Sequence, residues 1–153
     1  MKKQQMEKIS RLLTTIYTEI IQVEQRELRK STFNDVSIHE MHAVNAITMY
    51  EHKTSSQIAR ELKISPGTVT SMINNLVRKG YVIRIRGNDD RRFVRLGLTR
   101  KGRLLYRAHD AFHRSLVKSF IEGFSEEQIS WIEQALLNIH IFLEYPPVSS
   151  DKE

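Results

Sequence analysis

Apolar side chains recur along this chain at two different periods, and the change of period marks out its elements. Ile9, Leu12, Leu13, Ile16, Ile20 and Val23 follow one another at steps of three and four, the repeat of one helix face. The spacing predicts one long helix from Met1 to about Arg29, polar and frayed over its first residues. Lys30 to Val36 reads as a connection with Asn34-Asp35 in a turn. Ser37 with Glu40 is a capping box. The helix it opens carries Met41, Val44, Ala46, Ile47 and Met49 and is expected to end near Tyr50. Thr54 with Gln57 is a second box, opening a short helix with Ile58, Ala59 and Leu62 on its inner face. Ser65-Pro66 is an N-cap followed by proline at the first helical position, and that helix runs to about Lys79, where Gly80 supplies a left-handed stop.

The period then falls to two. Tyr81 to Arg86 and Arg92 to Leu98 flank Gly87-Asn88-Asp89-Asp90, a hairpin with Val82, Ile83 and Ile85 set against Phe93, Val94 and Leu96. Thr99 caps a further long helix to about Glu122, with Leu105, Ala108, Phe112, Leu116 and Phe120 as its seam. Gly123-Phe124-Ser125 breaks it, and Ser125 with Gln128 opens the last helix. That helix carries Ile129, Ile132, Leu136, Ile139 and Leu143 and stops at Pro146-Pro147. The expected fold class is mainly α with a small β-hairpin wing. A winged helix-turn-helix (37–98, recognition helix about 66–79, wing about 82–98) lies between an N-terminal dimerisation helix (1–36) and C-terminal dimerisation helices (99–145), with a disordered tail (146–153).

Helix, turn, helix, hairpin is a layout whose second helix lies in the DNA major groove. At about 100° per residue, Val69, Met72, Ile73, Leu76 and Val77 share one apolar stripe. The opposite side carries Gly67, Ser71, Asn74 and Arg78, flanked by Thr70 and Asn75, with Ser65 and Thr68 at the helix start as further candidate contacts. Hydroxyls, amides and a guanidinium are groups that read base edges and approach phosphates. An ordinary surface helix usually mixes Glu and Lys, whereas this side has no acid. Gly67 lets the helix start come close to a DNA backbone. Ser55 and Ser56 either touch a phosphate or simply cap their helix.

Asp90-x-Arg92-x-x-x-Leu96-x-Leu98-Thr99-x-x-Gly102 resembles the wing signature of the MarR family of dimeric bacterial regulators. The resemblance implies that Asp90 braces the wing and Arg92 enters the minor groove, where arginine reads a narrow, strongly negative channel. Arg84, Arg86 and Arg91 join them as candidate DNA contacts. The terminal seams either close within one chain or pair across a two-fold axis. The family resemblance favours the homodimer, which would set two recognition helices on half-sites about 34 Å apart in pseudo-palindromic double-stranded DNA.

Charge placement agrees. The net charge is +6, yet Arg78 to Arg107 holds eleven Lys or Arg against two acids, the footprint of phosphate binding. With 40% hydrophobic and 27% charged residues the chain can bury a core without staples. It has no Cys, which excludes thiol-based oxidant sensing. No signal peptide or membrane span is visible, so a cytoplasmic protein without a membrane partner is expected. No phosphate-binding loop, nucleophile elbow or dinucleotide fingerprint suggests an enzyme.

Glu24, His42, His109 and His113 form a second constellation. Two His at i, i+4 can share a zinc ion with a carboxylate and a third His. Zinc-sensing MarR relatives use Glu and His on these same helices, although they add a Cys that is missing here. The alternative places Met41, His42, His109, Phe112 and His113 as the lining of an effector pocket, with no cofactor. Ser37 to His42, Gly67 to Thr70, Asn74 to Leu76, Arg78 to Tyr81, Asp90 to Arg92 and Arg107 to His109 with Phe112-His113 look like the FabT-type fatty-acid-synthesis repressors of streptococci and relatives. That resemblance implies acyl groups on acyl carrier protein as corepressor.

Overall fold

The computed structural model describes residues 2–86 and 94–145. Eight elements follow in order: α1 (Lys2–Lys30), α2 (Ile38–Ile47), α3 (Ser55–Leu62), α4 (Pro66–Arg78), β1 (Val82–Arg86), β2 (Val94–Leu98), α5 (Arg100–Ile121) and α6 (Glu126–Glu144). The mainly helical class with a hairpin wing is the fold the chain adopts. Three capping boxes form as the sequence requires, at Ser37/Glu40, Thr54/Gln57 and Ser125/Gln128. Each satisfies two backbone N–H groups that a helix start would otherwise leave open.

The core lies where α2, α3 and α4 meet the hairpin. Val44, Ile47, Ile58, Val69, Ile73, Leu76, Tyr81 and Leu96 are all fully enclosed. Burying side chains of this size is worth about 1.5–3 kcal/mol each. β1 and β2 pair antiparallel with Val82 opposite Leu98 and Arg84 opposite Leu96. Successive side chains on a strand point to opposite faces. Val82 is buried, whereas Ile83 on the opposite face is 46% exposed, and Arg84 is exposed with its guanidinium against Asn74.

Two departures from the sequence reading have physical causes. α2 stops at Ile47, three residues before Tyr50, because Thr48 takes φ 58° and the Lys53 ammonium binds the Ala46 carbonyl at 2.8 Å. The segment before α3 also joins the sheet edge. Leu96 N donates to Lys53 O at 2.8 Å, and Thr54 bridges Arg95.

The chain divides into two units, Met1–Ala111 and Phe112–Glu153. In the first, the early part of α1 keeps Ile9, Leu12, Leu13 and Ile16 open to solvent. In the second, no residue of α6 is buried in the single chain, and Trp131, Phe142 and Leu143 stand out. Among the described residues no helix is long and apolar enough to cross a membrane.

Candidate nucleic-acid interface

α4 presents the face the sequence singled out. Val69, Ile73 and Leu76 point into the core, and Thr68, Thr70, Ser71, Asn74 and Arg78 are exposed on the other side. Ser65 caps the helix, accepting from Thr68 N at 3.2 Å, with the two hydroxyls 2.7 Å apart. Thr70 is partly committed, donating to Pro66 O at 2.9 Å. A side chain added at Gly67 would meet open space, so among the described residues no contact asks for glycine there. Asn75 is half-buried and accepts from Arg78 Nη2 at 3.0 Å. Arg84 of β1 reaches over the helix and donates to Asn74 Oδ1 at 2.5 Å. Arg86 ends β1 and is exposed. Asp90, Arg91 and Arg92 lie outside the described residues.

The far end of α4 carries the glycine stop that the sequence predicts and is held besides by side-chain contacts that the sequence reading did not foresee. Gly80 takes φ +81°, where glycine carries no side-chain penalty, and Tyr81 N then closes back to Leu76 O at 2.9 Å. Lys79 Nζ donates to the buried Glu40 carboxylate at 2.7 Å. The Tyr81 hydroxyl donates to Asp35 Oδ1, and Lys101 lies over the Tyr81 ring at 4.1 Å. Burial, then the Asp35 carboxylate, pushes the Tyr81 phenol far up. The Tyr81 hydrogen bond, aided by Lys101 against some burial, holds the Asp35 carboxyl below its usual range. Thr99 donates to Gly80 O at 2.6 Å and accepts from Gly102 N at 3.0 Å, so the cap of α5 also closes α4.

A cleft of about 390 Å³ opens between α1 and α2, bordered by Tyr17, Ile21, Ile38, His39 and His42. Beside it the buried Glu24 carboxylate touches two imidazoles. His109 Nε2 lies 3.0 Å from Oε1, and His42 Nε2 lies 3.4 Å from Oε2. The two rings meet edge to face with centroids 5.8 Å apart. Of the proposed pocket residues, His42 borders this cleft, Met41 is part of the core and His109 is buried against Glu24. Phe112 and His113 belong to the second unit, where their rings meet at 5.4 Å. Tyr17 and Ile21, at i, i+4 on α1, border the cleft although the sequence reading did not place them there.

Residues 36–94 match the family model described as MarR family. ZitR, a transcriptional regulator of Lactococcus lactis subsp. cremoris, is 32% identical over 89 residues, covering 56% of this chain and 61% of that protein. PchR, an HTH-type transcriptional regulator of Bacillus subtilis, is 26% identical over 91 residues, 58% of this chain and 54% of the relative. The alignments thus span little more than half the length of these two relatives. Streptococcus pneumoniae FabT, solved in complex with DNA, is 44% identical with a TM-score of 0.83, covering 90% of this chain and 96% of its own. The Staphylococcus aureus MepR–DNA complex shares the fold at 23% identity and a TM-score of 0.70, over 88% and 95%. The signature read in the wing, the matched family model and the likeness to FabT over nearly its whole length agree: the chain is a DNA-binding transcriptional regulator and belongs to the MarR family.

Proposed function

We propose that this chain is a homodimeric repressor of fatty-acid biosynthesis genes, with long-chain acyl groups on acyl carrier protein as corepressor. The reading is carried by the 44% identity to Streptococcus pneumoniae FabT across nearly the full length of both chains. The uncovered apolar sides of α1 and α6 suit pairing of two copies. The exposed face of α4, with Arg84 lying against Asn74, suits a major groove, and Arg86, Arg91 and Arg92 suit the flanking phosphates and minor groove.

The cleft between α1 and α2 suits an acyl chain along Tyr17, Ile21 and Ile38, with Thr18, Gln22, Gln25 and two imidazoles at its polar edge. α2 borders that cleft through Ile38 and His39, and in the same turn holds α4 through the Glu40–Lys79 pair. An occupant that binds one position of α2 better than another therefore biases the spacing of the recognition helices. Gel-shift titration on a duplex from the promoter of a fatty-acid synthesis gene tests the proposal. Affinity should rise when long-chain acyl carrier protein is added and stay unchanged with a zinc chelator. An unchanged affinity with the carrier protein bearing a long-chain acyl group overturns it.

A second reading has one observation in its favour, the contact of Glu24 with both His42 and His109. A carboxylate and imidazoles are a donor set that zinc accepts. Glu24, His42, His109 and His113 would then hold the ion, and chelation would abolish operator binding. Metal analysis of the purified protein separates the two readings.

A further inference from the structure

Two neighbouring asparagines on α4 have their carbonyl ends engaged by arginines. Asn74 Oδ1 accepts from Arg84 Nη2 of β1 at 2.5 Å. Asn75 Oδ1 accepts from Arg78 Nη2 on its own helix at 3.0 Å. The two ends of a side-chain amide are nearly alike in shape, and the hydrogen-bond partner decides which is which. A guanidinium carries only donors, so the oxygen must face it. The Asn74 amide is thereby oriented, with its NH2 group turned away from Arg84. A charged donor on the carbonyl also polarises the amide, which strengthens its N–H groups and weakens the remaining lone pair.

This orientation bears on base choice. An unrestrained asparagine pairs with adenine by donating to N7 and accepting from N6, and so uses both ends of the amide. Guanine offers two acceptors, N7 and O6. An amide held as a donor beside a fixed positive charge complements guanine better. We infer that Arg84 is a positioning residue for Asn74, and that the pair selects guanine at one position in each half-site. The inference rests on α4 entering the major groove, as proposed above.

The wing strand is a firm platform for this task. Arg84 stands opposite Leu96, which is fully buried, and the neighbouring Val82 is buried too. The guanidinium is therefore delivered from a backbone tied to the core. Arg78 differs, because it pairs with Asn75 three residues away on the same exposed helix end. A phosphate can draw Arg78 away without moving any other element.

Selection from a duplex pool randomised over about 20 base pairs, long enough for two half-sites one turn apart, tests the inference. The full-length protein is compared with three variants, and the bound fraction is sequenced. The unsubstituted protein should enrich guanine at one position per half-site. Asn74→Ala should lose that preference, a change on the order of tenfold. Arg84→Met should move it toward adenine, because the amide is released. Arg84→Lys keeps a donor and should keep guanine. An Arg84→Met profile that is unchanged in shape and merely weaker for every sequence makes Arg84 a phosphate contact and overturns the inference. So does an unchanged profile for Asn74→Ala, which stands as the deciding variant should Arg84→Met fail to fold. If the unsubstituted protein enriches no sequence at all, the major-groove reading fails first, and the inference goes with it.

Discussion

The Tyr81 hydroxyl meets the Asp35 carboxylate at 2.5 Å and ties the end of α4 to the α1–α2 connection, 46 residues earlier. The carboxyl is lowered by this bond and by Lys101. Its contribution to stability is therefore complete above the ordinary carboxyl value of about 4 and is lost as the pH falls through the lowered value. The raised phenol contributes fully below about pH 10 and loses that contribution as the pH climbs further. Asp35 is partly solvated, with its side chain 42% exposed, so the bond is worth only about 1 kcal/mol. Tyr81→Phe should cost that amount near neutral pH and flatten the acid limb of the stability curve. Urea unfolding between pH 3 and 7 reads both effects. An acid limb as steep as that of the unsubstituted protein would deny the pair its role.

Gly67 and Gly102 should answer to alanine in opposite ways. At Gly67 the added methyl meets open space, so helix propensity favours the variant by about 0.5–1 kcal/mol. DNA affinity should nevertheless fall, because the methyl occupies the space through which the helix start approaches the sugar-phosphate chain. At Gly102 the methyl would be driven into the Tyr81 carbonyl. The start of α5 must then shift, at a cost of about 1–3 kcal/mol. Thermal melts and gel shifts on the two variants give four numbers, and the signs alone decide.

Leu13→Glu and Ile16→Glu are each expected to turn a dimer into a monomer. Both side chains are about half exposed in the single chain, so a charge there does little harm to the isolated fold. Against a second copy the charge would be desolvated without a counter-ion, which is strongly unfavourable. Sedimentation velocity across a dilution series is the measurement. Variants that remain dimeric would move the pairing surface away from α1.

Arg92→Ala should weaken operator binding broadly and reduce the slope of log affinity against log salt by about one. Asn74→Ala should leave that slope nearly unchanged while relaxing base preference. Equal slopes for Arg92→Ala and the unsubstituted protein would remove Arg92 from the phosphate and minor-groove contacts.

Local features were easily read from the sequence. Ser37, Thr54 and Ser125 each cap their helix with the partner three residues on, because a box needs only four neighbouring residues to form. The apolar stripe of α4 was legible for the same reason, since Val69, Ile73 and Leu76 answer to one period. The end of α2 was not, because Met49 continues the apolar pattern and the stop comes from Thr48 and a distant lysine. The contacts Glu40–Lys79, Asp35–Tyr81 and Glu24–His109 join residues 39, 46 and 85 positions apart. No periodicity encodes such pairs, and only the tertiary fold brings them together.

The bare tryptophan, phenylalanine and leucine of α6 also bear on the abundance of this protein in a cell. If two copies shield these side chains from water, folding and assembly become one equilibrium that depends on concentration. Newly made chains below the assembly threshold then go to proteases before they reach promoters. Copy number would set the strength of silencing more steeply than simple occupancy predicts, and a modest fall in synthesis would release the target genes.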